Sequence, residues 1–130
     1  MMARLLIDTH ILLWWLDGDK RLKRKPRQLI QSEDNQILVS AASVWEITTK
    51  ARIGKLEGAL EVAADVPACL ADQGFAGLPI TIEHAQIAGN LPGPHRDPFD
   101  RMLIAQAQAE RIPIVSVDPV FDGYGVTRLW

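Results

Sequence analysis

Five carboxylates in this sequence, Asp8, Glu46, Asp97, Asp100 and Asp118, stand at points where elements begin or end, and together they could hold a divalent cation. Asp8 closes the apolar run Arg4-Leu5-Leu6-Ile7, and Asp118 closes the β-branched run from Ile112 to Val117. Asp97 and Asp100 lie three residues apart at a helix start, so both can face the same side of its first turn. Glu46 lies about one turn inside the helix that follows the strand Gln36 to Ser40. Gathered in one place, such groups raise one another's pKa values unless a cation sits among them. Oxygen-only ligation, with no thiolate and no paired histidines, suits Mg²⁺ or Mn²⁺ better than zinc. An ion of that kind lowers the pKa of a bound water, orients it for in-line attack and offsets charge building on phosphorus. The chemistry so described is phosphodiester hydrolysis.

Each acid also has an ordinary reading. Asp97-Pro98-Phe99-Asp100 has the form of an N-cap, a proline at the first helical position and an acid at the third. Asp118-Pro119 could cap a short turn, Asp8 could cap the helix after Thr9, and Glu46 could pair on the surface with Lys50, four residues on. Capping acids of successive helices in a parallel sheet gather at one edge in any case, so the residues alone leave both readings open.

The elements that must position these groups follow from periodicity. Arg4 to Asp8 reads as a central strand buried on both faces, and Ile11 to Leu16 as a helix. A charged helix follows from about Leu22 to Ser32, with Pro26 forcing a late start or a kink. Gln36 to Ser40 is the second strand. Val44, Ile47 and Ala51 mark one face of a helix from Ala42 to Ile53, which Gly54 can cap. A helix from Ala59 to Gln73 is expected to bend or divide at Pro67, and Leu78-Pro79-Ile80 to form a short strand. Ile82 to Ala88 is a further helix, followed by a Pro/Gly-rich loop from Asn90 to His95. A helix from Asp97 through Glu110, a strand from Ile112 to Val117 and a last strand over Val126 to Trp130 complete the chain. Short apolar strands alternating with helices predict an α/β fold: a three-layer sandwich with a mainly parallel central sheet flanked by helices, its crossovers right-handed. Ligand chemistry in such sheets collects beyond the carboxyl ends of the strands, where Asp8 and Asp118 lie.

The 130 residues suit one domain, and 48% apolar with 23% charged residues excludes disorder, coiled coil and fibrous repeats. A net charge of -2 gives no global pull on nucleic acid, so such binding would need a local basic patch or a metal. Lys20, Arg21, Lys23, Arg24, Lys25 and Arg27 form one such cluster, which could hold RNA phosphates or an acidic protein segment, or be a solvated helix face. Arg96 and Arg101 flank the third acidic position and could contact substrate phosphate; surface or ion-pair roles would fit them equally. Cys69, the sole cysteine, excludes an internal disulfide and a cysteine-rich zinc site. The longest apolar stretch, Ile11 to Leu16, is far short of the roughly 20 residues a membrane span needs. A cytoplasmic protein with no membrane segment is expected. Leu12-Leu13-Trp14-Trp15-Leu16 cannot bury every side chain against one core, which predicts that one tryptophan faces a partner.

His10, His84 and His95 lack metal-ligand spacing and have no serine or cysteine partner for triad chemistry. Asp8 ending the first strand could instead accept a phosphoryl group, as in phosphatase- or receiver-like proteins. Asp8-Thr9-His10 lacks the second aspartate of those phosphatases, and Asp118 stands where a receiver needs a lysine. A third class is a non-catalytic binding module.

Four segments carry a resemblance: Leu6-Ile7-Asp8-Thr9-His10, Ser40-Ala41-Ala42-Ser43-Val44-Trp45-Glu46-Ile47, His95 through Ala105, and Val115-Ser116-Val117-Asp118. In this order and spacing they resemble PIN domains, particularly VapC-type toxins of toxin–antitoxin pairs, across essentially the whole chain. The resemblance implies a PIN-like fold and an endoribonuclease dependent on Mg²⁺ or Mn²⁺. It puts Asp8, Glu46, Asp97 and Asp118 around one or two ions, with Asp100 as a fifth acid able to share or exchange the role of Asp97. Thr9 and Ser116 resemble the hydroxyl positions that hold carboxylates or waters beside the ions, though backbone capping would also explain them. The implied partners are RNA as substrate, a cognate antitoxin and a second copy of the chain.

Overall fold

The computed structural model describes residues 3–56 and 58–130. Three elements open the chain: β1 (Ala3–Ile7), α1 (Thr9–Asp17) and α2 (Arg24–Gln31). β2 (Asn35–Ser40) and α3 (Ala41–Arg52) follow, then α4 (Leu60–Ala64), α5 (Val66–Gln73), β3 (Ala76–Leu78) and α6 (Ile82–Asn90). The chain ends with α7 (Pro98–Glu110), β4 (Ile114–Val115), a 3₁₀ turn (Pro119–Tyr124) and β5 (Arg128–Leu129). The strands form one sheet in the order β3-β2-β1-β4-β5 with every pairing parallel, as the alternation of strands and helices predicts.

Side chains of the central strands alternate between two apolar clusters, which is what a sheet covered on both faces requires. Leu5, Ile7, Ile37, Val39 and Val115 pack with Ile11 and Leu12 of α1, Ile30 of α2, Ile47 of α3, and Val66 and Leu70 of α5. Leu6, Leu38, Leu78 and Ile114 pack with Leu103, Ile104 and Ala107 of α7 and with Phe121 of the 3₁₀ turn. Each fully buried side chain of this kind contributes roughly 1.5–3 kcal/mol. The layers therefore hold the β1, β2 and β4 ends rigidly where the acids begin.

Several boundaries depart from the sequence reading. The region from Ala59 to Gln73 divides into two helices as expected, but two residues ahead of Pro67, at Asp65, whose carboxylate accepts the Ala68 N–H at 3.1 Å and caps α5. Pro67 in its first turn could not have continued α4, because a proline ring clashes with the carbonyl four residues back. β3 is Ala76–Leu78 rather than Leu78 to Ile80, since Pro79 has no N–H to give a ladder. The strand expected over Ile112 to Val117 narrows to Ile114–Val115, and the chain turns at Ser116 and Asp118 into the 3₁₀ segment.

The tryptophans of α1 are half-buried, each packed in part against the chain's own residues. Trp14 packs beside Trp130 and His10, with the Arg21 guanidinium 5.0 Å from its ring centre. Trp15 lies against Phe75 and donates to Gln73 Oε1 at 2.8 Å. Exposure falls instead on Trp45, at 62%, which meets Phe99 edge to face. No helix among the described residues is long and apolar enough to cross a membrane.

Candidate active site

The carboxyl ends of β1 and β2 feed directly into helices, and the polar groups at these junctions are the ones the sheet buries. Asp8 caps α1 by accepting the Ile11 N–H at 2.9 Å, and its second oxygen accepts the hydroxyl of Ser116, from just beyond β4. Ser116 Oγ in turn accepts the Asp118 N–H at 3.0 Å, so one hydroxyl ties the ends of β1 and β4 together. Both Asp8 and Ser116 are buried.

Ser40 at the end of β2 caps α3 by accepting the Ala42 N–H at 2.9 Å, which starts a helix carrying Ser43 and Glu46 inward. Thr9 lies 2.7 Å from Glu46 Oε1 and 2.9 Å from Ser43 Oγ. Having one hydroxyl proton, Thr9 donates to the carboxylate and accepts from Ser43. Glu46 is only 6% exposed, and its other oxygen meets Lys50 Nζ at 2.5 Å. The pair with Lys50 that the spacing suggested exists, with the carboxylate buried and the lysine reaching it from the solvent side.

α7 brings the remaining two acids. The Asp97 carboxylate turns back on its own helix, accepting from Phe99 N at 2.9 Å and Asp100 N at 3.0 Å. Asp100 meets His95 Nε2 at 2.9 Å. Burial pushes the Asp8 carboxyl above its ordinary value, against the hydrogen bonds from Ser116 and Ile11 and the charge of His10, and Asp100 pushes it further. Burial likewise raises Asp100, opposed by His95 and reinforced by the negative charges of Asp97 and Glu46. Asp100 is thus the group within electrostatic reach of Asp8, Glu46 and Asp97 alike. Asp118 is exposed at the rim, accepts the Val120 N–H at 3.0 Å and adds its charge beside Arg128.

The two arginines part company. Arg96 is exposed. Arg101 is engaged within the protein: its guanidinium donates to the carbonyls of Ala88 at 3.3 Å, His95 at 2.9 Å and Leu91, so it clamps loop 91–95 whatever it does toward substrate. Tyr124 adds to that clamp by donating to Pro92 O at 2.9 Å. The loop in turn presents His95 to Asp100. Ser43, Lys50 and His95 join the cluster without having been singled out for it from sequence. The four-residue spacing from Glu46 signalled Lys50, and His95 stood beside the acidic segment in sequence, while Ser43 gave no signal of its own.

The donors suit a hard divalent ion: oxygen-rich, with the buried Asp8 and the half-buried Asp100 both raised by burial and by neighbouring negative charge. Among the described residues no group of three or more acidic, histidine or cysteine side chains is placed to hold a metal ion. Here each carboxylate is satisfied by a protein donor, Asp8 by Ser116, Glu46 by Lys50 and Asp100 by His95. The fit is thus one of donor chemistry, to an ion that keeps part of its water shell. Beside the acids a cleft of about 340 Å³ is lined by Thr9, His10, Trp14, Arg21, Lys50 and Lys55 among others. A larger groove of about 630 Å³, along Ile82, Gln86, Ile87 and Leu91, includes none of Asp8, Glu46, Asp97, Asp100 and Asp118.

Comparison with known proteins agrees with this architecture. The PIN domain profile matches residues 5–126. Ribonuclease VapC16 of Mycobacterium tuberculosis is 39% identical over 62 residues, which are 48% of this chain and 43% of that protein, so the match spans under half of the curated relative. VapBC2 of Rickettsia felis, solved bound to a DNA fragment from its promoter, superposes with a TM-score of 0.70 at 13% identity, covering 98% of each chain. The sarcin–ricin loop cleaving toxin VapC20 of Mycobacterium tuberculosis gives 0.68 at 16% identity, covering 95% of this chain and 96% of that one. VapBC-1 of nontypeable Haemophilus influenzae gives 0.66 at 12%, covering 98% and 97%. At these identities the structural likeness is one of fold.

Proposed function

The chain belongs to the PIN domain family, and from that premise we propose that it is a Mg²⁺- or Mn²⁺-dependent endoribonuclease and the toxin of a toxin–antitoxin pair. What supports this is that Thr9, next to Asp8, binds the buried Glu46 of α3, so two buried carboxylates come together at the carboxyl ends of β1 and β2, with the half-buried Asp100 of α7 within electrostatic reach. These three would hold the ion, with Asp97 and Asp118 alongside. When bound, Mg²⁺ or Mn²⁺ supplies the positive charge that relieves this crowding and the Lewis acidity that activates water.

The chain's own residues supply position. Ser116 and the Ile11 N–H fix Asp8, while Thr9, itself held by Ser43, fixes one oxygen of Glu46. Orientation of this kind keeps ligands from rotating out of use when the charge balance changes. Lys55, Arg96 and the cations at Lys20, Lys23, Arg24 and Lys25 would attract the RNA backbone toward an acidic centre that would otherwise repel it. The partners belonging to this reading are an antitoxin protein and a second copy of the chain. A phosphoryl-accepting role for Asp8 fits less well, because an acid, Asp118, stands where a receiver needs a lysine and Asp8-Thr9-His10 lacks the second aspartate of the phosphatases.

The test is purified, antitoxin-free protein incubated with total cellular RNA and Mn²⁺, with excess chelator as the paired arm. Cleavage should require the ion, and Asp8→Asn and Glu46→Gln should each lower it by at least about 100-fold while remaining folded. Cleavage that persists in chelator, or in both variants, would reject the assignment; folded protein with no cleavage of any RNA would favour a binding module.

A further inference from the structure

We propose that Lys50 is a built-in counter-cation of the acidic site: its ammonium holds Glu46 when no divalent ion is present, competes with that ion for the same oxygen, and on yielding swings into the adjoining cleft. The inference rests on the divalent-ion reading above and concerns what this chain does to regulate access to that site.

Three observations carry it. Glu46 Oε1 receives only the neutral hydroxyl of Thr9, while Oε2 faces the Lys50 ammonium at 2.5 Å. The side chains are unequally covered, 8% exposed for Glu46 and 38% for Lys50, so the carboxylate is fixed in the interior while the lysine reaches it from the solvent side. Lys50 also lines the 340 Å³ cleft together with His10, Trp14 and Lys55. A lysine has four rotatable side-chain bonds, so moving its ammonium from Glu46 into that cleft needs no backbone displacement.

The electrostatics give the direction. A buried carboxylate without a counter-charge is costly, so Lys50 stabilises the ion-free protein. A divalent ion reaching Glu46 would meet a positive charge already on that oxygen, and two cations cannot share it without repulsion. Lys50 therefore lowers the affinity for the ion, and the site exchanges one cation for another rather than passing through a bare cluster of negative charges. Lys55 lines the cleft but no contact joins it to Glu46, which makes it the internal control.

The experiment is calorimetric titration of the full chain with Mn²⁺, without RNA, comparing wild type with Lys50→Met, Lys50→Arg and Lys55→Met. Lys50→Met should bind Mn²⁺ more tightly by about 3- to 30-fold, whereas Lys50→Arg and Lys55→Met should stay within about twofold of wild type. Lys50→Met should also melt lower than wild type in chelator and gain more from added Mn²⁺; Lys50→Gln replaces it if the Met variant does not fold. Wild type that binds Mn²⁺ while the neutral Lys50 variants bind it equally or more weakly overturns this proposal alone. Wild type that takes up no Mn²⁺ overturns the divalent-ion reading and this proposal with it.

Discussion

Asp97 and Asp100 sit three residues apart, and their hydrogen bonds assign them different work that paired substitutions can separate. Asp97 accepts two backbone N–H groups, at 2.9 and 3.0 Å, and so caps α7. Asparagine caps as well as aspartate, so Asp97→Asn should leave the melting temperature nearly unchanged, while Asp97→Ala should cost about 1 kcal/mol. For a chain of 130 residues that is a fall of roughly 3–6 °C. Asp100 caps nothing; its carboxyl is raised by burial and by the charges of Asp97 and Glu46. Asp100→Asn is nearly isosteric and can keep a hydrogen bond to His95 while removing a charge the fold resists, so the melting temperature should hold or rise. Cleavage should divide the other way. Asp100→Asn should lower the initial rate on a fluorogenic RNA with Mn²⁺ by at least about 100-fold, and Asp97→Asn by less than about tenfold. Asp97→Asn inactive at an unchanged melting temperature, with Asp100→Asn still active, would refute this and restore Asp97 as the third acid.

The raised Asp8 carboxyl fixes a pH dependence. Its folded-state value lies above the ordinary 3.8, so the stabilisation from its protonated form is whole below that pH and fades as pH rises through the folded value. In chelator, Asp8→Asn should therefore melt above wild type near neutral pH, by a margin that shrinks toward pH 3.8; a margin independent of pH would contradict the cause assigned. Arg101→Met should cost about 2–3 kcal/mol through the lost carbonyl contacts, yet leave RNA affinity per folded molecule unchanged, as measured by fluorescence anisotropy. Weakened RNA binding at full stability would return Arg101 to the substrate. Thr9→Val removes a buried hydrogen bond to a charged group and should cost about 1.5–3 kcal/mol together with some Mn²⁺ affinity, whereas Thr9→Ser should recover both on thermal and calorimetric measurement.

Much of the frame was legible because it rests on local rules. The apolar run of β1 needed no partner to be read as a buried strand, and Asp97-Pro98 announced the start of α7 through capping chemistry alone. What escaped depended on tertiary contact. The short β4 arises because Ser116 is drawn to Asp8 across the sheet, a bond spanning 108 positions that no window of sequence contains. Arg101 looked like a phosphate ligand by type and neighbourhood, but the carbonyls that claim it belong to a loop and a helix end whose approach only the packing of α6 on α7 determines. His95 has the same origin, since the loop that Arg101 holds is the one that carries it to Asp100.

The ordinary reading of the acids can now be separated from the functional one, because it explains some of them and not others. Asp8, Asp97 and Asp118 each accept a backbone N–H at the start of a helix or 3₁₀ turn, so their placement follows from capping, whatever else they do. Glu46 and Asp100 cap no backbone. Glu46 is buried within α3, and Asp100, at the helix position from which a capping-box acid would reach back to Asp97, bonds His95 instead. Burying a carboxylate that supports no helix end costs stability, and here the cost is met with dedicated partners, Thr9 and Lys50 for one and His95 for the other. A fold shaped by stability alone would place apolar or neutral side chains at both positions. Glu46 and Asp100 therefore favour an ion-dependent site beyond what capping explains, and Asp8, already fixed at the end of β1, joins them.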